Sequence, residues 1–172
     1  MTSNIDAYNA ALLILRVTLG LTLAAHGYNK FFGGGKIPGT ARWFDSMGMR
    51  PGKLHAIVAA TTEIGAGLLF AAGFLTPLAA AGFVGMMTVA AYTVNLPNGF
   101  FIVNHGIEYN LVLATIAVTV ATIGPGKYSL DHALLKSVDW FGWRGFAISA
   151  GLGIVASSAL LAVFYRRPPA SS

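Results

Sequence analysis

The sequence predicts an all-α fold, a polytopic bundle of transmembrane helices, and three observations lead there. Hydrophobic residues make up 55 % of the chain and charged residues only 10 %, whereas a soluble domain carries roughly 25 % charged residues. Lipid can face the apolar surface that so few charges would leave uncovered. The apolar residues fall into five stretches, each close to the ~20 residues a helix needs to cross a ~30 Å hydrocarbon core. The ~10-residue alternating segments of a membrane β-barrel are missing from the sequence.

The first stretch runs from about Tyr8 to Tyr28. The segment Met1 to Ala7 has no Lys or Arg, so this stretch reads as a retained helix and not as a signal peptide. The second runs from about Leu54 to Phe74 and the third from about Thr76 to Val94. A very short turn joins them, with Pro77 in the first turn of the third helix, where proline is tolerated. The segment Asn95 to Gly99 (NLPNG) breaks the third helix. The fourth stretch, Ile107 to Ile123, ends at Gly124-Pro125-Gly126, and the fifth, Gly145 to Tyr165, ends at Arg166-Arg167-Pro168-Pro169.

Two longer linkers remain. Phe31 to Lys53 contains Ala41 to Met47 (ARWFDSM), which suits a short amphipathic helix at the membrane interface with Trp43 as its aromatic anchor. Lys127 to Arg144 contains Ser129 to Lys136, followed by Trp140 and Trp143, and reads the same way. Neither suggests a separate domain. Residues 1–144 form one membrane unit, and 145–172 add a last helix with a short basic tail.

Basic residues sit between the apolar segments, a pattern of membrane topology and not of nucleic-acid binding. With five spans, one side holds Lys30, Lys36, Arg42, Arg50, Lys53, Arg166 and Arg167, and the other holds Lys127, Lys136 and Arg144. The positive-inside rule then places the N-terminus outside and the C-terminus inside. No cysteine is present, which excludes disulfides, thiolate metal ligation and a cysteine nucleophile within this sequence.

Ionisable groups inside a membrane are costly, and they are the first functional candidates. Arg16 lies about halfway along the first helix, and Glu63 within the second is its expected partner. The pair either locks two helices together or serves as a proton relay or ligand anchor. A second group gathers toward the inner boundary: His26, Asn29 and Lys30 end the first helix, His55 opens the second, and Asn104, His105, Glu108, Tyr109 and Asn110 open the fourth. His26 and Glu108 are each about one turn inside the boundary and are expected to meet. Such a pair could exchange protons with a quinone head group or bind a metal. Equally, Asn104 could be a helix N-cap, with Glu108 in the first turn favoured by the helix dipole. Tyr92, Phe100 and Phe101 fit either an interfacial aromatic belt or a quinone-stacking surface. No metal-ligand set, covalent cofactor attachment or mid-membrane histidine pair for haem emerges.

Several stretches in order carry a family resemblance: Leu15 to Gly20 (LRVTLG), His26 to Gly33 (HGYNKFFG), Glu63 to Leu69 (EIGAGLL), Gly73 to Leu78 (GFLTPL), Glu108 to Leu111 (EYNL) and Gly124 to Asp131 (GPGKYSLD). With these residues the chain resembles the DoxX family of bacterial membrane proteins. The resemblance implies a four-helix membrane core in the bacterial cytoplasmic membrane, and the stretch Gly145 to Tyr165 is a fifth helix beyond it. It also implies a subunit of a membrane oxidoreductase, as in thiosulfate:quinone oxidoreductase or assemblies with a superoxide dismutase and a sulfurtransferase. The family offers no established catalytic set. Arg16, His26, Lys30, Glu63 and Glu108 form the expected functional core, with Asn29, His55, His105 and Tyr109 secondary. Quinone is the candidate ligand, soluble redox proteins or a second copy the candidate partners, and membrane lipid the solvent. The competing readings are a small transporter gated by Arg16 and Glu63, which needs a continuous polar path, and a purely structural scaffold.

Overall fold

The computed structural model describes residues 2–135 and 138–168. Helix α1 spans Thr2–Phe32, α2 Lys36–Met47, α3 Gly52–Ala72 and α4 Thr76–Ala90. The last continues through a π-helical turn, Ala91–Asn95, and a 3-10 turn, Leu96–Asn98. After a 3-10 turn at Ile102–Asn104 come α5 (Glu108–Ile123) and the short α6 (Leu130–Leu134). The last helix, α7, runs Trp143–Phe164 with a π-helical stretch, Ala147–Leu152, inside it. Among the described residues there is no strand, only one isolated bridge between Met49 and Tyr165.

Among the described residues four helices are long and apolar enough to cross a bilayer: α1 over Asn4–Phe32, α3, α4 with its continuation to Asn98, and α7. Helix α5 is apolar but has 16 residues, a rise of ~24 Å, short of a ~30 Å core. The expected count of five spans is therefore met on length by four helices. The expected breaks fall where the residues place them. Helix α5 stops at Gly124, which takes φ 92°, and α3 and α4 are separated only by residues 73–75. The first linker forms α2, which buries Ala41 and Phe44 and leaves Trp43 half exposed. Of the second linker, Leu130–Leu134 is helical, and Lys136 lies outside the described residues.

The central seam is α1 against α3. Buried positions on α1 recur at 9, 12, 16, 19, 20, 23 and 27, and on α3 at 52, 55, 56, 59, 60, 63, 66, 67 and 70. Steps of three and four make one continuous stripe per helix. The two backbones touch at Gly20 and Gly67, where a Cβ on either would meet the other's carbonyl oxygen. Small residues allow such an approach, and in lipid the packing it permits is one of the forces that hold helices together. The contact fixes the register. Gly20 lies beside Gly67 and Ala71, and Gly27 beside Ala60 and Glu63.

Helix α7 docks along α4, with Gly153 close against Ala81 and Val84. Its end is tied to the α2–α3 linker. Arg166 N–H donates to the Gly48 carbonyl at 2.9 Å, Arg50 N–H donates to the Phe164 carbonyl at 3.4 Å, and Tyr165 packs edge-on against Tyr92. The ends of α1 and α4 and the starts of α3 and α5 follow the same antiparallel order, so the basic residues grouped from the sequence gather at one end of the bundle. Gly67→Val should force α1 and α3 apart. Overpacking costs about 1–3 kcal/mol, and thermal unfolding in detergent should show a lowered Tm for Gly67→Val and an unchanged one for Gly65→Val, where a Cβ meets open space.

Candidate functional site

Arg16 does not pair with Glu63. The glycine contact sets it level with the C-terminal end of α3, and its guanidinium, 0 % exposed, donates to the carbonyls of Ala71 (2.8 Å), Phe70 (3.5 Å) and Tyr128 (2.6 Å). The carbonyls of a last helical turn have no intrahelical partner and carry partial negative charge, which suits a cation. Gly73 stands in the turn at φ 63°, and any Cβ there would strike the Arg16 guanidinium and Ser129.

An anion completes this end, and the sequence reading missed it. Asp131, 2 % exposed, accepts from the N–H groups of Leu75 (2.8 Å) and Thr76 (2.9 Å) at the start of α4, and its own N–H donates to the Gly73 carbonyl. It serves the orphan donors and positive end of α4 as Arg16 serves the end of α3. Leu75, held at φ 50°, is a strained position that this hydrogen bond secures. The neighbouring His132 is exposed.

Glu63 pairs instead with Lys30, whose Nζ lies 2.8 Å from Oε1 and 2.6 Å from Oε2. Gly27 is the residue level with Glu63 on α1, so Lys30 starts nearly one turn beyond it. Helical side chains lean toward their own N-terminus. On antiparallel helices Lys30 and Glu63 therefore lean toward each other, and the ammonium and carboxylate meet between their Cα levels. Both are largely buried, with side-chain exposures of 18 % and 7 %.

The pair forms one wall of a cavity of about 120 Å³. Helix α2 contributes Trp43, Phe44 and Met47, the linker Met49, α3 His55, Val58 and Ala59, α4 Met86 and Val89, its π-helical turn Thr93 and Val94, and α7 Leu160. Apart from Lys30, Glu63, His55 and Thr93 the lining is apolar, and the Thr93 hydroxyl already donates to the Val89 carbonyl. An engineered apolar cavity of about 150 Å³ accepts one benzene; this one, at about 120 Å³, is somewhat smaller, on the scale of one bare ring. The methionines, flexible and polarisable, suit an adaptable pocket wall.

The structure brings together three of the expected residues, Lys30, Glu63 and His55. The others do not line the cavity, although His26 lies near enough to Glu63 to act on its charge. His26 and Asn29 are exposed on α1, and Tyr109 is exposed at the start of α5. Glu108 does begin α5, but its carboxylate accepts the Ile102 N–H at 2.9 Å, closing the loop before the helix. No bond joins it to His26 among the described residues. Asn104 ends a 3-10 turn and is not the N-cap, which is Ile107. His105 is exposed, its carbonyl receiving Asn95 Nδ2 at 2.7 Å. The α1–α3 seam between Glu63 and Arg16 is filled by Gly20, Leu19, Leu23, Ala66 and Gly67, so it offers no continuous polar path of the kind a transporter needs. Nothing in the sequence spacing pointed to the walls from α2 and α7, which arrive through tertiary packing.

A family model for DoxX matches residues 11–96, half of the chain. The chain belongs to the DoxX family. No curated protein and no solved structure matches it. The matched segment of this DoxX protein holds Arg16, Lys30, His55, Glu63 and the cavity walls from α2 and α4. Asp131 and the α7 wall lie beyond it.

Asp131→Ala should leave one buried and one partly buried N–H group unpaired and lower stability by about 1–3 kcal/mol, read as a lower Tm in detergent. Removing one member of a buried ion pair costs about 3–5 kcal/mol, less here because Lys30 is 18 % exposed. Glu63→Met should therefore destabilise the bundle, whereas Lys30→Met with Glu63→Met should recover most of the loss. A double-mutant thermal-unfolding cycle measures that coupling.

Proposed function

We propose that this DoxX-family protein is a membrane-anchoring, quinone-binding subunit of an oxidoreductase assembly serving sulfur metabolism or oxidative-stress defence. The observation that supports the reading is the buried Lys30–Glu63 pair on the wall of a mostly apolar cavity on the scale of one ring. Binding pockets for small molecules have this character, a mostly apolar lining with few polar groups to orient the ligand. An ammonium has three N–H donors, and Glu63 takes two, which leaves one for a quinone carbonyl. Reduction of a quinone to quinol takes two electrons and two protons. A soluble redox partner would supply the electrons, and Lys30 with Glu63 would hold and relay protons at the ring oxygen.

The partner would dock on the end that carries Lys36, Arg42, Arg50, Lys53, Arg166 and Arg167, taken as the cytoplasmic face of the bacterial plasma membrane with the N-terminus outside. The quinone site moves from His26 and Glu108, which do not meet, to Lys30 and Glu63, which do.

Two measurements test this. Titration of purified protein with decylubiquinone should show saturable binding, and the Lys30→Met, Glu63→Met double variant, folded by the cycle above, should bind at least tenfold more weakly. Equal binding by both proteins would sink the site. Affinity purification from native membranes in mild detergent should recover a dehydrogenase, dismutase or sulfurtransferase in stoichiometric amount. Recovery of the chain alone or as a homo-oligomer would count against the subunit role.

A further inference from the structure

The cavity has a second polar point that the ion pair leaves unused. His55 is 5 % exposed, lines the cavity, and keeps its Nε2 buried with no hydrogen-bond partner among the described residues. Its ring is held by Phe164 of α7, edge-on at 4.9 Å between centroids, and Phe164 is fixed in turn by its carbonyl's bond from Arg50 N–H. A buried polar atom without a partner costs free energy. Arg16 Nε, Thr76 Oγ1 and Trp140 Nε1 are likewise buried without a partner among the described residues but do not line this cavity; His55 does, so its nitrogen is the one that a molecule in the cavity can satisfy.

Position on the helix says what that partner looks like. His55, Ala59 and Glu63 are spaced four apart, and residues four apart stand above one another on one helix face. All three line the cavity. The face therefore reads polar, small, polar over ~12 Å of helix, with Ala59 leaving open floor between two hydrogen-bonding walls. Met86 and Val89 of α4 add apolar lining.

We infer that the ligand lies along α3 over Ala59, with one oxygen at Lys30–Glu63 and the opposite oxygen at His55 Nε2, so that the site selects a ring oxygenated at both ends, a para-quinone or its quinol. This deepens the quinone reading and rests on it. An imidazole nitrogen either donates or accepts, so His55 suits both the carbonyl of a quinone and the hydroxyl of a quinol. No electron transfer is needed for this recognition. The tilt of the imidazole is set by Phe164, a positioning residue on a helix outside the matched family segment.

The experiment uses the full-length protein in detergent, labelled with ¹⁵N-histidine, of which the chain has four. Decylubiquinone is titrated into wild type, His55→Phe, His55→Gln and Ala59→Phe. The expected result is a shift of the His55 ring resonances alone in wild type, a loss of at least tenfold in affinity in His55→Phe, partial retention in His55→Gln, and loss in Ala59→Phe, which keeps both polar walls and fills the floor. The wild-type shift needs no variant to fold. Binding with full affinity in His55→Phe, or binding to wild type that leaves the His55 resonances unmoved, overturns the inference and leaves the quinone reading standing. No binding to wild type overturns both.

Discussion

Two charges hold the α3–α4 turn, and the arrangement of the bundle depends on them. Arg16 reaches from α1 onto the last carbonyls of α3, and Asp131 reaches from α6 onto the first N–H groups of α4. A membrane interior penalises both a charged side chain and an unpaired backbone group. Each penalty here cancels the other. The helix ends need a donor and an acceptor, and the charges need permanent opposite partners. Because Arg16 also takes the Tyr128 carbonyl, three segments distant in sequence meet at one guanidinium. The tight turn, strained at Leu75, is possible because its neighbours are fixed from both sides.

That clamp and the Gly20–Gly67 contact set the register of α1 on α3, and the register determines what happens at the opposite end. It places Glu63 level with Gly27, within reach of Lys30 and out of reach of Arg16. One turn of slip would bring different residues to the carboxylate. The cavity is a consequence of the same geometry. Helix α2 folds back under α3, and α7 is tied across the α2–α3 linker by Gly48 and Arg50, so two elements that contribute nothing to the α1–α3 seam close the space around the ion pair.

Much of the fold was legible in the sequence because lipid imposes a simple requirement, long apolar runs separated by breakers. Gly124, Pro77 and the residues around Gly73 marked real boundaries. The costly groups were legible too, for the same reason, and Glu63, Lys30 and His55 were all singled out. Their pairing was not. Counting residues from a boundary treated Arg16 as mid-membrane, but α1 extends past the end of α3 and sets Arg16 at that end. Asp131 was passed over because a carboxylate in a polar linker gives no sign of burial. His26 and Glu108 share a side without sharing a face, and depth alone does not distinguish these. The wall from α7 depends on contacts across more than a hundred residues, such as Arg166 on Gly48, which no local spacing encodes.

The two charged clusters differ in a way that bears on function. The partners of Arg16 and Asp131 are backbone groups, which neither titrate nor change rotamer, so that end of the molecule is committed to structure. The partner of Glu63 is a lysine side chain with a third N–H unspent, facing a cavity that also holds an unsatisfied imidazole. A pair wanted only for packing could be replaced by apolar side chains at little cost or with a gain. Helix ends cannot be treated that way, since their N–H and C=O groups remain whatever side chain stands nearby. The cluster with exchangeable partners is thus the one whose presence packing alone does not explain, and it lies beside the cavity.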